Sequence, residues 1–555
     1  LHFLPAVAFL ALVGIMASGR ALAALESQGT LRLTVLDTTT GKPTPVRVQL
    51  LDGESKAWVA EDGLRIWTDG DPKRGVPKIF NPYAGKDEFY CVGTSTSLLR
   101  AGKYRLAISK GPEYALKSRS VEIRAGESLE VTVEMNRWIS LPAGGWYGSD
   151  VHLHIARPNQ AFDALILKWM QAEDIHVASL LQMGHAKGFG RAPQYAYGSK
   201  GAYREGDHMI VSSQENPRTH FLGHTMIIGN SEPIHLPDTY VLYGLFFQEA
   251  HRQGALSGYA HFGQHLNAQY GLSIDLPAGY LGILQVLEGG NANYSVWYDI
   301  LNGGFRMTPV AGTDYPSLPS IPGRERFYTR VEGPLTVESW LEGMRRGRTF
   351  VSNGPFLEFD VNGRGTGEEI VLARPASVRV RGSVRFDPTR DEVDRLEVIE
   401  NGQLLKSFPR LGKAEEIRFE FDYDTRETSW LAVRAWGHKA GEPRLSVPAF
   451  LQARATTTTL EESLRPNSLA HSGAIYVTIR GTPGLAEHPR AKALARAWLA
   501  RLDNLRRRLE PDQIEQVTAM PSVGEGVDVD LLRRNRTALL EAIDSARKYF
   551  QERSR

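Results

Sequence analysis

The sequence predicts a multidomain protein in which an α/β region is flanked by two small β-sandwich domains and followed by a helical C-terminal region. Short alternating strands with turn residues between them occur before residue 140 and again after residue 355. Between these positions, apolar strand-like runs alternate with helical patterns, and helical spacing of apolar residues returns near the C-terminus. The 555 residues suffice for three or four domains of about 150 residues each.

Residues 1–23 are predicted to be a signal peptide. Residues 3–19 are almost wholly apolar, and the small-x-small pattern of Ala21, Leu22 and Ala23 follows. An uncleaved membrane anchor is the alternative, although the run lies at the short end of the roughly 17–25 residues that span a bilayer. No later stretch is long and apolar enough to span a membrane. We therefore expect a periplasmic or secreted protein without stable membrane insertion.

Residues 27–137 show the alternation of apolar and polar side chains that is typical of half-buried strands. The alternating segments are 31–35, 46–50, 104–108 and 129–133. Turn residues such as Gly41 and Pro43 separate these segments, which predicts a β-sandwich. The region contains no group of catalytic side chains, so we expect it to serve packing or attachment.

Residues 140–355 are predicted to form an α/β layer fold or barrel. Apolar runs that suit buried parallel strands lie at 177–183, 282–287 and 307–311. Helical patterns lie between them, at 162–173 and 242–252. Strands that alternate with helices are typical of parallel sheets.

A second small β domain is predicted at 356–455. Strand-like segments lie at 378–380, 396–399 and 417–421. Asn401-Gly402 predicts a hairpin, because both central positions of a type I′ turn need positive φ.

Residues 456–555 are predicted to be mainly helical, with a helical hairpin interrupted around Pro511 and Pro521. The apolar residues with helical spacing are Leu494, Trp498, Leu502, Leu505 and Leu509, then Leu532, Leu539, Ile543 and Phe550. The arginine clusters at 506–508 and 533–534 are expected to be solvated faces.

Composition and charge exclude several classes of protein. Apolar residues make up 42% and charged residues 23%, so the chain is neither disordered nor fibrous. The formal net charge of +2 argues against a nucleic-acid partner, which needs a broad basic face. The single cysteine, Cys91, excludes an internal disulfide and a CxxC zinc site. No phosphate-binding loop of the P-loop or dinucleotide type is present, which argues against a nucleotide cofactor.

The histidines indicate a metal site. Eleven of the 15 histidines lie between residues 150 and 265. Side chains alternate along a strand, so Asp150, His152 and His154 share one face. Two imidazoles two residues apart can reach one metal ion, and Asp150 is placed to orient one of them. A surface strand with incidental histidines is the alternative, but the opposite face of this segment is fully apolar.

Several later apolar runs also end in a side chain that can bind metal. These residues are His185, Glu215, His261, Glu288 and Asp314. In a barrel of parallel strands the carboxyl ends converge on one face, where the active site lies. Each of these residues is a weak signal when it is taken alone, but together they favour one shared cavity.

The ordered motifs resemble those of the PHP (polymerase and histidinol phosphatase) metallohydrolases, and more narrowly the CehA/McbA-like branch. The motifs in this sequence are Asp150-x-His152-x-His154, Met183-Gly184-His185, Glu215, Gly223-His224, Ala260-His261 and Gly312-Thr313-Asp314. Segments 110–114, 144–148 and 347–355 resemble the same branch. The resemblance covers roughly residues 30–360 and rests on the order of the motifs.

The resemblance implies a distorted (β/α)7 barrel that binds two or three metal ions. It implies that His152, His154, Glu215 and Asp314 bind the first ion. It further implies that Glu215 bridges to a second ion bound by His224 and His261, with His220 as an alternative to His224. A third ion would use His185, but Pro316 stands where the family usually has another histidine. A two-metal site is therefore the preferred interpretation.

Imidazole and carboxylate ligands without thiolates suit Zn, Mn or Fe(II). The resemblance implies hydrolysis by a metal-bound hydroxide, with catalytic roles for Glu215, Asp314, His185 and Asp150. It implies cleavage of a carbamate, ester or amide bond in the narrower branch and of a phosphoester in the wider superfamily. The expected partner is a small-molecule or short polymeric substrate.

Features that select the substrate are less well defined in the sequence. Arg324 and Arg326 either meet an anionic group or form salt bridges on a loop. Tyr294, Trp297 and Tyr315 either line a pocket or belong to the core. A different class of function also stays open, in which the barrel is catalytically degenerate and the chain is an exported binding protein. The absence of the third-site histidine at Pro316 favours that alternative.

Overall fold

The computed structural model describes residues 27–64, 88–261, 268–289, 291–292, 294–316, 321–437, 468–515 and 527–555. The predicted signal peptide, residues 1–23, and Pro521 lie outside the described residues. The structure is a mixed α/β protein with several β-sheets.

The N-terminal region consists of two sheets that share one apolar core. The strands are β1 (Gln28–Asp37), β2 (Pro45–Asp52), β3 (Phe89–Val92), β4 (Thr94–Arg100), β5 (Gly102–Ser109), β6 (Lys117–Ile123) and β7 (Ser128–Met135). One sheet has the order β4-β1-β7 and the other has the order β3-β2-β5-β6. Leu33, Val48 and Leu106 meet in the core between them. The four predicted segments lie within β1, β2, β5 and β7.

The α/β region follows. Its strands are β8 (Trp146–Leu153), β9 (Val177–His185), β10 (Gly188–Phe189), β11 (Tyr203–Glu205), β12 (His208–Glu215), β13 (Arg218–Thr219), β14 (Gly223–Ile228), β15 (Leu256–Tyr259), β16 (Leu281–Glu288), β17 (Asn291–Ala292), β18 (Thr308–Ala311), β19 (Arg326–Arg330) and β20 (Thr349–Ser352). Its helices are α1 (Asp163–Ala172), α2 (Gly198–Gly201), α3 (Tyr243–Arg252), α4 (Ala268–Asp275), α5 (Tyr294–Asn302) and α6 (Val337–Arg345). The predicted helices at 162–173 and 242–252 correspond to α1 and α3.

These strands form one mixed sheet with the order β18-β16-β15-β14-β12-β9-β8-β19-β20. The pairs β8–β9, β9–β12, β15–β16 and β16–β18 are parallel, so their carboxyl ends lie at one edge. The strand β14 is antiparallel to both β12 and β15, which corrects the expectation of a barrel of parallel strands. The connection from β12 to β14 is too short for the crossover that parallel strands require.

Helices cover the sheet and bury its apolar residues. Val211 and Ile283 are fully buried strand residues, and they belong to one core with Phe246 of α3 and Trp297 of α5. Both faces of the parallel strands are buried, which explains why their sequences are nearly continuous apolar runs.

A second β-rich region follows the α/β region. Its strands are β21 (Phe356–Val361), β22 (Glu369–Leu372), β23 (Ser377–Arg385), β24 (Arg395–Glu400), β25 (Gln403–Pro409), β26 (Glu416–Asp424), β27 (Ser429–Trp436), β28 (Leu469–Ser472) and β29 (Ile475–Ile479). Asn401 and Gly402 have φ of 49° and 81° and connect β24 to β25, as the hairpin prediction requires. The strand β28 pairs with β20, so this region is hydrogen-bonded to the α/β sheet. Because β28 and β29 fall within 456–555, that segment is not helical throughout.

The C-terminal part is a pair of helices, α7 (Pro489–Arg508) and α8 (Val529–Ser554). Trp498 and Phe550 pack against each other with ring centroids 5.1 Å apart. The exposed guanidinium of Arg506 forms an ion pair with Asp544 across the two helices at 2.7 Å. Among the described residues, no helix is long and apolar enough to cross a membrane.

Candidate metal centre

Two histidines face each other at the end of β8. The strand ends at Leu153, so His152 lies just inside it and His154 follows it directly. Their Nε2 atoms are 3.1 Å apart, and both side chains are buried. This is the arrangement expected from side chains that alternate along a strand.

The Nδ1 atom of each ring lies within hydrogen-bond distance of an oxygen acceptor. His152 Nδ1 lies 2.9 Å from Gln285 Oε1, and His154 Nδ1 lies 3.0 Å from the carbonyl oxygen of Leu181. Each Nδ1 therefore carries the proton, and each neutral ring presents an Nε2 lone pair to the other ring. Two lone pairs at this distance repel each other unless a proton or a metal ion lies between them.

Four further side chains that can bind metal lie beside these two rings. Glu215 is the last residue of β12, and His224 lies on β14. His261 and Asp314 follow β15 and β18 and have positive φ of 54° and 50°. Few non-glycine residues adopt this conformation, and it turns the chain at the edge where the parallel strands end.

The carboxylates of Asp314 and Glu215 both lie close to the two rings. Asp314 Oδ1 is 3.2 Å from His154 Nε2 and 3.5 Å from His152 Nε2. Glu215 Oε2 is 3.5 Å from His154 Nε2. Ligand atoms about 2.0 Å from a tetrahedral zinc ion are roughly 3.3 Å apart, so these distances fit one ion.

A second group shares Glu215 with the first. Glu215 Oε1 is 2.8 Å from His224 Nδ1 and 3.1 Å from His261 Nε2. His261 Nδ1 is 2.8 Å from Glu288 Oε1, so the proton of a neutral ring lies on Nδ1 and the Nε2 lone pair faces Glu215. The two oxygens of Glu215 thus face different groups, which is the geometry of a bridging carboxylate.

Asp150 binds backbone and hydroxyl donors, not an imidazole. Its carboxylate accepts hydrogen bonds from the backbone N–H of His152 at 2.9 Å and of Gly323 at 2.9 Å. It also accepts hydrogen bonds from the hydroxyl of Thr313 at 2.7 Å and from its N–H at 3.2 Å. This corrects the expectation that Asp150 orients a ring, because the rings are oriented by Gln285, Leu181 and Glu288.

The electrostatics of the group favour bound positive charge. Burial would raise the pKa of Glu215, but Arg218 and His224 outweigh it and hold that pKa well below its usual range. Burial would likewise raise the pKa of Asp314, but the surrounding histidines lower it to about 2. Burial would lower the pKa of His261, but Glu288 and Glu215 raise it well above its usual value. The carboxylates thus stay ionised and attract a cation.

The group is mostly buried, and its least buried side chains are His224 and Asp314. The side chains of His224 and Asp314 are 12% and 11% exposed, whereas that of Glu215 is fully buried.

The structure does not bring His185 into the group. His185 ends β9, is half-buried, and its Nδ1 accepts a hydrogen bond from the N–H of Lys187 at 3.3 Å. Within the described residues, His185 belongs to no set of three ligand-type atoms that lie within 4.8 Å of one another. The same is true of His220, whereas His224 belongs to such a set.

Three residues of the site were not assigned a role by the sequence analysis. Gln285 and Glu288 bind the Nδ1 atoms of His152 and His261. Arg218 places its Nε 3.4 Å from Glu215 Oε2. The sequence contained a signal only for Glu288, which ends an apolar run.

The residues proposed for substrate selection are placed elsewhere. The buried guanidinium of Arg326 donates to the carbonyl oxygens of Glu173, Asp174 and Gly323, so it serves neither an anion nor a loop salt bridge. Arg324 is about one-third exposed and lies 3.9 Å from Glu325. The aromatic residues belong to the buried core, and they are Tyr294, Trp297 and Tyr315.

A second set of ligand-type side chains lies at the opposite, amino-terminal ends of β9 and β12. It consists of Asp174, His176 and His208. The two imidazoles are stacked, with ring centroids 4.8 Å apart and 17° between the planes. Their lone pairs lie in nearly parallel planes and do not converge on one ion. In the main group the rings of His152 and His154 are 80° apart, which permits convergence.

No protein-family model and no curated protein matches the chain. Five chains of solved structures match parts of it. A minor pilin of Streptococcus agalactiae is 18% identical with a TM-score of 0.15, covering 20% of this chain and 46% of the pilin. The TIE protein of Bacillus anthracis is 15% identical with a TM-score of 0.14, covering 22% and 19%. A streptococcal ancillary pilin is 15% identical with a TM-score of 0.14, covering 23% and 37%. The chain spans less than half of each of these proteins, and such TM-scores carry no inference.

Proposed function

We propose that the protein is an exported metal-dependent hydrolase of the PHP type, similar to the CehA/McbA-like branch. It binds two divalent ions, with zinc, manganese or iron as the candidates, at the edge of the sheet where the parallel strands end. The proposed ligands are His152, His154, Glu215, His224, His261 and Asp314.

The observation that carries this proposal is the pair of Nε2 lone pairs that face each other 3.1 Å apart in a buried site. Both Nδ1 atoms have oxygen acceptors, so neutral rings must repel each other unless they share a cation. A proton can fill this role for one pair of atoms. Glu215, His224 and His261 form a further set of ligand-type atoms within 4.8 Å of one another, and this second cluster favours metal ions.

The proposed ligands have different roles in the reaction. When bound, the two ions supply a water of lowered pKa and stabilise negative charge that develops on the reacting group. Glu215 bridges the two positions and sets their separation through its two oxygens. Asp314 provides a second carboxylate at the first position. No serine or cysteine nucleophile is required.

The distorted (β/α)7 barrel is part of the proposal. Its support is the order of the mixed sheet, in which four strand pairs are parallel and helices connect several of the strands. A parallel bridge between Leu153 and Tyr315 also joins the end of β8 to the segment after β18.

We propose two ions because the residues for a third do not assemble. His185 lies outside the group, and Pro316 stands where the family has a histidine. The proposed substrate is a small or short polymeric molecule with a carbamate, ester, amide or phosphoester bond. The absence of the third-site histidine also favours a second candidate, an exported binding protein whose metal ions only stabilise the fold.

Elemental analysis of the purified full chain tests the proposal. We expect about two equivalents of divalent metal, and His152→Ala combined with His154→Ala should remove most of it. A matched control is His235→Ala combined with His251→Ala, because neither residue belongs to the group. If the first double variant keeps the metal content of the wild type, the site is elsewhere.

A screen of model phosphoesters, esters, carbamates and amides then separates the two candidate functions. A hydrolase should lose turnover on chelation and regain it when metal is added back. Ions that bind without turnover of any bond type in the screen would favour the binding protein.

A further inference from the structure

Gln285 and Glu288 lie on β16 and contact residues of both proposed metal positions, although neither is a proposed ligand. Both side chains are almost completely buried, with relative exposures of 1% and 4%. They are hydrogen-bonded to each other, because Gln285 Nε2 donates to Glu288 Oε1 at 2.8 Å.

The orientation of the Gln285 amide is fixed by its surroundings. Its Nε2 donates to Glu288 Oε1 and to the carbonyl oxygen of Gly312 at 3.2 Å. Its Oε1 accepts from His152 Nδ1 at 2.9 Å and from the backbone N–H of His261 at 3.3 Å. A reversed amide would set its NH2 group against two donors and its oxygen against two acceptors. One amide thus contacts a side chain of the first position and the backbone of the second.

Glu288 acts on the second position directly. Its two oxygens lie 2.8 and 3.0 Å from His261 Nδ1, on the opposite side of the ring from Nε2. A carboxylate in this place holds the ring in one tautomer and makes the distal nitrogen a stronger donor to a metal ion. Among the described residues, Glu288 belongs to no set of three ligand-type atoms that lie within 4.8 Å of one another, so it is not placed as a ligand itself.

We propose that Gln285 and Glu288 form a positioning pair that couples the two metal positions. This inference rests on the proposed function, because it assumes that His152 and His261 bind metal. Glu288 fixes His261 and, through the amide of Gln285, also fixes the tautomer of His152. Loss of either member therefore weakens binding at both positions, and loss of both costs little more than loss of one.

Titration of the metal-free full chain with Co2+, followed by calorimetry and visible absorption, tests the pair. Glu288→Gln keeps the shape and one acceptor oxygen but removes the charge. Gln285→Leu keeps the approximate volume and removes all four hydrogen bonds of the amide. We expect each variant to weaken Co2+ binding by about 10–100-fold and to shift the absorption bands. The double variant should lose much less than the product of the two single losses, as expected for residues that act together.

Two buried residues outside the group provide matched controls. Gln194→Leu removes a buried amide that binds the backbone of Ile155 and Ala192, and Asp391→Asn replaces a buried carboxyl group in the second β-rich region. Both should bind Co2+ like the wild type. If Gln285→Leu does not fold, the isosteric Glu288→Gln variant decides the question alone.

The outcomes separate this inference from the function on which it rests. A wild-type chain that binds no Co2+ overturns the proposed metal centre. A wild-type chain that binds two ions, together with variants of unchanged affinity and unchanged absorption bands, overturns the positioning role. If the loss of Co2+ affinity in the double variant equals the product of the two single losses, the coupling of the two metal positions through this pair is overturned.

Discussion

Glu215 is the residue on which both proposed metal positions depend. Its side chain is fully buried, and its two oxygens face different sets of histidines. A buried carboxylate is costly unless it is paired, and Arg218 is the nearby positive side chain, 3.4 Å away. Both the ionisation of Glu215 and its position therefore suit the proposed role of binding cations.

We expect Glu215→Gln to lower kcat by several orders of magnitude while the fold stays intact. The amide keeps the shape of the side chain but removes the negative charge and weakens the bridge between the two positions. The measurement is kcat on a substrate identified by the screen, together with metal content and circular dichroism. Glu249→Gln on the exposed face of α3 is the control. A near-normal rate for Glu215→Gln on a confirmed substrate would contradict the proposed role.

Some residues of the site could be predicted from the sequence, and the reason is geometric. His152 and His154 were recognisable because a strand repeats every two residues, and Glu215 and His261 because each follows an apolar run. Gln285 carried no signal, since a glutamine inside a strand acquires its role only through neighbours from other strands. Arg326 was misinterpreted because its position near Asp314 in sequence does not show that its guanidinium is buried among carbonyl groups.

At the scale of elements, Asp150 joins three segments that meet at the candidate metal centre. It binds the end of β8 through His152, the turn after β18 through Thr313, and the segment before β19 through Gly323. The end of β8 and the turn after β18 lie so close together that a Cβ on Gly312 would lie 2.6 Å from His152 Cβ. Asp150 thus sets the distance between the strands that provide His152 and Asp314.

We expect Asp150→Ala to destabilise the protein and to reduce its metal content. Removing the acceptor leaves buried N–H and hydroxyl donors unsatisfied, at a cost of about 1–3 kcal/mol for each. Asp150→Asn keeps one acceptor oxygen and should lose less. Urea unfolding of the metal-free protein measures the stability, and elemental analysis measures the metal. If both variants unfold at the urea concentration of the wild type, Asp150 does not join these segments.

Helices and strands were predicted correctly where the local periodicity of apolar residues determines the secondary structure. The helices at 162–173 and 242–252 and the alternating strands of the N-terminal region have periodic sequences. The direction of β14 was not predictable from its composition, because it depends on the short connection from β12. The strands at 469–479 were not predicted either, since their partners β20, β22 and β27 lie far away in sequence.

At the scale of the whole molecule, buried ion pairs connect the N-terminal sheets to the α/β region. Arg137, which follows β7, binds Glu113 at 2.6 Å and Asp174 at 2.8 Å. Arg47 of β2 binds Glu173 at 2.9 Å. Removing one partner of a buried pair typically costs about 3–5 kcal/mol, so the two regions should unfold together.

His208 extends this charged contact and should make stability depend on pH. Its Nδ1 lies 2.8 Å from Asp207, and its Nε2 lies 3.8 Å from Asp174. Burial would lower the pKa of His208, but these two carboxylates outweigh it and raise that pKa. The stacked His176 responds in the opposite way, because burial lowers its pKa to about 3. The pKa values of the two stacked rings are therefore shifted in opposite directions.

We expect His208→Asn to destabilise the protein most at mildly acidic pH. A raised pKa in the folded state means that the stabilisation is fully present below the unfolded value of about 6.5 and is lost as the pH rises through the folded value. The free energy of unfolding of the variant should therefore fall below that of the wild type by about 1.5–3 kcal/mol near pH 6, and by much less near pH 9. Urea unfolding of both metal-free proteins at the two pH values measures this difference in the free energy of unfolding. The contribution of His176 largely cancels, because both proteins contain this residue. As a control, His251→Asn on the exposed face of α3 should differ from the wild type in free energy of unfolding by the same amount at both pH values. A gap between His208→Asn and the wild type that stays constant or widens toward pH 9 would show that the proton on His208 does not contribute to this contact.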